Sequence, residues 1–204
     1  MAPSAALLPL HEHLRRHARA IPDRTAYLWY GHALTWAELD AASDAFAARL
    51  QALGVQKGEP VALFMNNCPQ YLMAHYGIQK IGAIVCPCGP LNKEHELQYQ
   101  LDDLKARVIV AADVLLPVVE QVRAQTALEH VFVVRYAELL PDGEPSIAVP
   151  AELQAMRASA APAPAGCEDF LAAVRAGGQP APVELSMDDV ALMTYTSGTT
   201  GRPK

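Results

Sequence analysis

Nine consecutive residues, Thr196-Ser197-Gly198-Thr199-Thr200-Gly201-Arg202-Pro203-Lys204, carry the densest set of ligand-binding groups in the chain. Four hydroxyl side chains and two glycines fill six positions, and Arg202 and Lys204 add positive charge. Glycine lets backbone N–H groups turn inward and approach a ligand closely. Ser and Thr hydroxyls donate further hydrogen bonds, and the cations complete a cradle for an anion such as a polyphosphate. A ligand-free Gly/Ser/Thr hairpin loop has the same composition, so composition alone leaves both readings open. The Walker A pattern needs a Gly-Lys-[Ser/Thr] ending after a four-residue gap. Here Gly198 and Gly201 stand three apart and Lys204 follows Pro203, which excludes that motif. No GxGxxG follows any predicted strand, which excludes the dinucleotide fingerprint.

Other polar residues have simpler readings. Cys68, Cys86, Cys88 and Cys167 fit no zinc spacing, and Cys86-Pro87-Cys88 is not a CxxC redox pair. They read as buried or partly buried free thiols. His75 lies in a predicted helix and reads as a packing or surface residue. His11, His13 and His17 read as a solvated helix face. Asn66-Asn67 follows a predicted strand, where a turn is the plain reading and a pocket wall the functional one.

The elements that must position the run are legible upstream. Pro9–Ala20 reads as a helix, Thr25–Tyr30 as a strand and Gly31-His32 as a turn. Thr35 with Glu38 forms a capping box for a helix striped by Leu39, Ala42, Phe46, Leu50 and Leu53 and stopped by Gly54. Val61–Met65 is a continuous apolar run, as in a strand buried on both faces. Pro69 suits the first turn of the next helix, which carries Tyr71, Ala74, Ile78 and Ile81. Ile84–Cys86 predicts a strand, Asn92 the cap of a helix striped by Leu97, Leu101 and Leu104, and Arg107–Ala111 a further strand. A helix over about 114–124 and a strand at Val131–Val134 follow. Trp29 and Trp36 are expected to pack the N-terminal hairpin against its helix. Strands alternating with helices imply βαβ units, a mostly parallel sheet and an α/β fold. Residues 137–186 are rich in Pro and Ala and read as an irregular excursion with one short helix near Glu168–Arg175. Met187–Tyr195 predicts a new strand that feeds the hydroxyl-rich run.

The ordered string Met193–Lys204 resembles the signature of the acyl-adenylate-forming superfamily, typically YTSGTTGxPKG. That superfamily holds AMP-forming acyl-CoA synthetases, peptide-synthetase adenylation domains and firefly-type luciferases. Ala20–Ala26, Leu34–Leu39, Leu53–Gly58 and Lys80–Ile84 are similar to its N-terminal landmarks, in order. Glu96-Leu97 with Leu101 and the lead-in Asp188–Ala191 fit too.

The resemblance covers almost the whole chain. It implies the front part of the family's large domain: a first α/β subdomain over 1–186 and the start of a second, strand plus phosphate loop, over 187–204. It further implies that Thr196 is the Mg²⁺-side hydroxyl, that Ser197, Gly198, Thr199, Thr200 and Gly201 wrap the β- and γ-phosphates of ATP, and that Lys204 adds charge. The expected reaction joins a small-molecule carboxylic acid to CoA through an acyl-AMP. The whole-chain flavour, including EHELQYQL, is most similar to medium- or long-chain fatty-acid–CoA ligases. An adenylation domain that loads a carrier protein and a non-catalytic binding module are the alternatives. In the family the adenine, ribose and acyl-pocket contacts lie beyond the phosphate loop. A fragment inactive by itself is therefore expected, with no confident catalytic residue among these 204.

Composition sets outer bounds. Hydrophobic residues make up 51% and charged residues 19%, which is globular and not disordered. A net charge of -6 argues against a general nucleic-acid or anionic-membrane surface. No apolar run approaches the roughly 18–20 residues needed to span a bilayer. MAPSAALLPL lacks a basic residue ahead of its apolar stretch and makes a poor secretory signal, while Arg15, Arg16 and Arg19 give a faint transit-peptide flavour. The expected location is the cytoplasm.

Overall fold

The computed structural model describes residues 7–143, 147–159 and 161–195. Helix α1 (Leu10–Ala20) leads into a hairpin of β1 (Thr25–Trp29) and β2 (His32–Thr35). The turn falls on Tyr30-Gly31, both at positive φ (47° and 95°), one residue earlier than the sequence predicts. A two-residue turn with that geometry matches the twist of paired antiparallel strands.

Thr35 then caps α2 (Trp36–Ala52). Its Oγ1 accepts from Glu38 N–H at 3.2 Å, and the Glu38 carboxylate accepts from Thr35 N–H at 2.8 Å. This is the predicted capping box, with two otherwise orphaned backbone donors satisfied. Trp29 and Trp36 pack against the core beside this helix, as expected.

The remaining elements form one five-stranded parallel sheet. They run β3 (Pro60–Phe64), α3 (Pro69–Lys80), β4 (Ile84–Cys88), α4 (Glu94–Leu104), β5 (Val108–Ala112), α5 (Leu116–Arg123) after a 3₁₀ turn, and β6 (His130–Val134). Then come α6 (Ala151–Ala158), β7 (Glu168–Asp169) and α7 (Phe170–Arg175). The strand order is β4-β3-β5-β6-β7, and every pairing is parallel. This is the α/β fold expected from the alternating pattern.

The sheet is covered on both faces. Val61, Leu63, Val85, Val110 and Phe132 point to the layer of α1, α2, α3 and α7. Ala62, Phe64, Cys86, Ile109 and Val133 point to α4 and α5. Two-sided burial is why these strands read as unbroken apolar runs rather than alternating ones. Phe46 meets Phe132 edge-on at 5.2 Å and tilts against Phe170 at 4.8 Å, tying α2, the sheet and α7 together.

Four further expectations need correction. The helix after β4 is capped at Lys93, whose N–H donates to Glu96 Oε2 at 3.0 Å. Asn92 instead donates to Gln100 at 2.9 Å. The 137–186 stretch holds α6 and β7 as well as the expected short helix, and its Phe170 is fully buried. His11 is buried (4% exposed), unlike His13 and His17, because α1 turns that edge toward Lys80 and the 180–185 segment. Finally, Met187–Tyr195 is not a regular strand. It has a turn at 187–189 and one parallel bridge, Leu192 to Val85.

Candidate functional site at the edge of the sheet

Thr196, Ser197, Gly198, Thr199, Thr200, Gly201 and Lys204, the predicted phosphate-holding residues, lie outside the described residues. Their entry segment is described up to Tyr195, and it is held at successive points.

The first hold is electrostatic. Ser186 N–H donates to Asp189 Oδ2 at 2.6 Å and closes a turn. Lys57 Nζ sits 2.7 Å from the same carboxylate and donates to the Glu184 carbonyl at 2.9 Å. The Lys57 hydrogen bond, then the Ser186 N–H, hold the Asp189 carboxyl below the usual range. Gly82 lies under this strap at φ +70°. A Cβ there would come within 2.5 Å of Leu185 Cδ2 and 2.9 Å of Lys57 Cγ, so those side chains would have to shift, and the positive φ itself favours glycine.

The second hold is backbone pairing. Val85 N–H donates to the Ala191 carbonyl at 3.1 Å, and Met193 N–H donates to the Val85 carbonyl at 2.9 Å. The segment thereby lies alongside β4 at the edge of the sheet. At the third hold, the Tyr195 hydroxyl donates to Asp103 Oδ2 on α4 while its ring packs on the cluster beneath that helix. Sequence reasoning missed Lys57, Val85 and Asp103 as partners, because each is distant in sequence. Asp189 was visible only as part of a familiar lead-in.

The carboxyl ends of β3 and β5, where strand order reverses, form a second polar spot. Asn66 N–H donates to the Tyr136 hydroxyl. Burial raises the Asp113 carboxyl and the Tyr136 hydroxyl above their ordinary values. Gln70 is fully buried and donates to the Arg135 carbonyl at 3.1 Å, closing the spot from below. That contact uses the Asn66 backbone and reaches 70 residues along the chain, while Asn66 and Asn67 are exposed.

His75 is a packing residue. It stacks at 6.0 Å on Tyr71 and meets Tyr76 edge-on at 5.5 Å, and burial lowers its basicity. Cys68, Cys86 and Cys88 are buried free thiols pushed up to about 12 by burial, and Cys167 is half-buried and free. Among the described residues no group of three or more His, Cys, Asp or Glu is placed to hold a metal, and no helix is long and apolar enough to cross a membrane.

Comparison with known proteins bears on residues 14–204, which match the model of a family described as AMP-binding enzyme. A long-chain-fatty-acid–CoA ligase of Bacillus subtilis (strain 168) is 32% identical over 190 residues, covering 92% of this chain and 34% of that protein. One of Escherichia coli O6:H1 is 34% identical over 185 residues, covering 89% and 33%. The chain thus spans about a third of the length of the curated relatives it matches. Among solved structures, an anthranilate CoA ligase in complex with anthranoyl-AMP superposes with a TM-score of 0.77 at 25% identity, covering 98% of this chain and 34% of the other.

Proposed function

The chain belongs to the AMP-binding enzyme family, and from that premise we propose that it is the leading part of an AMP-forming fatty-acid–CoA ligase. The observation that carries this reading is the family match across residues 14–204, which includes the hydroxyl-rich string. The names of its curated relatives favour a long-chain fatty acid over the anthranilate of the solved neighbour. Residues 1–186 form the first subdomain, and 187–204 begin the second.

A carboxylate is a poor electrophile, because its leaving group would be an oxide. The acid oxygen attacks the α-phosphorus of ATP, the bond to the bridging oxygen breaks, and pyrophosphate leaves. The CoA thiol then loses its proton, its sulfur attacks the acyl carbon, and AMP departs with the electrons of the broken bond. Negative charge grows on the leaving pyrophosphate in the first step. Donors already in place there stabilise the transition state more than the ground state. Thr196, Ser197, Thr199 and Thr200 supply hydroxyls, Gly198 and Gly201 open the backbone N–H groups, and Lys204 supplies a fixed charge.

The hard hydroxyl oxygen of Thr196 fits Mg²⁺ and would help hold it, and the ion would supply charge neutralisation to the polyphosphate. Buried free thiols favour a reducing compartment such as the cytoplasm.

The test is ATP–pyrophosphate exchange with a long-chain fatty acid, a hydroxycinnamate and an anthranilate offered as rival acids. Exchange dependent on the fatty acid is expected in the catalytically competent polypeptide, and none from these 204 residues alone. Lys204→Ala should lower it by about a hundredfold, the scale of losing one preorganised donor. Preference for an aryl acid would overturn the substrate, and exchange indifferent to Lys204→Ala would overturn the cradle. Acyl transfer to a carrier protein but not to CoA would reassign the acceptor.

A further inference from the structure

Tyr195 is the last described residue before the predicted loop. Whatever fixes Tyr195 therefore fixes the point at which the chain leaves the sheet edge. Its ring is clamped on the cluster that contains Cys86, Cys88 and Leu101, and its hydroxyl reaches the Asp103 carboxylate. Asp103 is oddly placed for an acid. It lies in the last turn of α4 beside Asp102, and that turn holds no basic residue, the nearest along the chain being Lys105 at the C-cap. The helix macrodipole disfavours anions there. Among the described residues its carboxylate accepts one side-chain hydrogen bond, the one from Tyr195. An exposed acid that works against its helix and reaches a residue 92 positions away is placed for something other than helix stability.

We propose that Asp103 is a positioning residue for the phosphate loop, acting through the Tyr195 hydroxyl. The inference rests on the polyphosphate reading of that loop. Together with the Val85 pairing, the bond aims the chain as it leaves the sheet edge, so that the loop meets the nucleotide without reorganising. Asp103 itself touches no substrate. Its effect is on where the donors stand before ATP arrives, and so on ATP and not on the acid.

The test combines structure and kinetics. In hydrogen exchange on the chain, the Met193 amide, which donates to Val85, reports on the anchor directly. Tyr195→Phe and Asp103→Ala should each speed that exchange about three- to tenfold, the range expected for one charge-assisted hydrogen bond. Amides of β3 and β5 should not change. The double variant should be no worse than either single, because both remove the same bond. Asp103→Asn, which keeps an acceptor, should restore most of the protection. In the competent polypeptide the KM for ATP should rise by a similar factor, with the KM for the acid unchanged.

Additive single effects, or unchanged Met193 exchange, would overturn the proposal. Lys204→Ala separates the two levels. If that variant leaves ATP dependence intact, the polyphosphate reading fails and this inference with it. If it impairs ATP use while Asp103→Ala does not, this inference alone falls.

Discussion

The sheet body and the strap that crosses its β4 edge are built on different physics. In the body, Phe46, Phe64, Phe132 and Phe170 are fully buried, and each strand from β3 to β6 is packed on both faces. In the strap, Met187, Val190, Leu192 and Met193 are all exposed, with Met187 at 55%. What holds them is Lys57, paired with Asp189 and bonded to the Glu184 carbonyl, the bridge to Val85, and the ring and hydroxyl of Tyr195. The body is stabilised by many interchangeable contacts, and the strap is aimed by a few specific ones. A fold can lose an interchangeable contact and keep its shape, whereas an aimed segment that loses a specific one points elsewhere.

The most damaging way to probe this contrast is Phe46→Ala, which opens a cavity where α2, β6 and α7 meet. A loss of about 3–5 kcal/mol is expected in urea unfolding. Two lysines sharpen the comparison. Lys80 is wholly buried, donating to Asp40 Oδ1 at 2.6 Å and Asp44 Oδ1 at 2.7 Å. Lys80→Ala removes the buried cation between α2 and α3 and should cost about 3 kcal/mol in the same measurement, the low end for a broken buried pair because Asp40 keeps some solvent and Asp44 keeps Arg15 at 3.5 Å.

A lesser effect follows acidification. Burial lowers the basicity of His11 and His75 in the folded state from the ordinary 6.5. The unfolded chain therefore takes up protons first. Stability from these groups is complete above pH 6.5 and is lost as pH falls through that value toward the lowered folded ones. His75→Phe should flatten that part of a stability–pH profile. The smallest effect belongs to Lys57→Ala. Its pair with Asp189 is solvent-washed, so the urea midpoint should not move measurably, while Met193 exchange rises. A shift in midpoint as large as that of Lys80→Ala would erase the distinction between the regions.

Legibility in the sequence divides along the same line. The α2 capping box and the apolar runs of β3 and β6 are local patterns, and the structure carries them where they were read. β7 could not be read, because Glu168-Asp169 is two acids with no apolar signature. It is a strand only by pairing with β6, with Arg49 donating to Glu168 at 2.9 and 2.8 Å. His11 reads as solvated until α3 and the 180–185 segment are known to close over it. Met187–Tyr195 reads as a strand, but among the described residues it pairs with the sheet only through the bridge of Leu192 to Val85. Residues 196–204 are legible as a string of chemical groups and lie outside the described residues. The partners of the segment before them are not legible, since Asp103 and Val85 give no signal until Tyr195 and Met193 fold back on them.

Strand order also has a temporal meaning. After β3 and β4 pair, every later strand adds on the far side of β3, in the sequence β5, β6, β7. The outer flank of β4 waits until residue 192 arrives. On a ribosome that delivers the N-terminus first, β3 to β7 emerge before residues 187–195 are laid against β4. A substitution in 187–195 therefore meets a sheet whose five strands have already left the ribosome, and what it alters is the fit of that segment to β4.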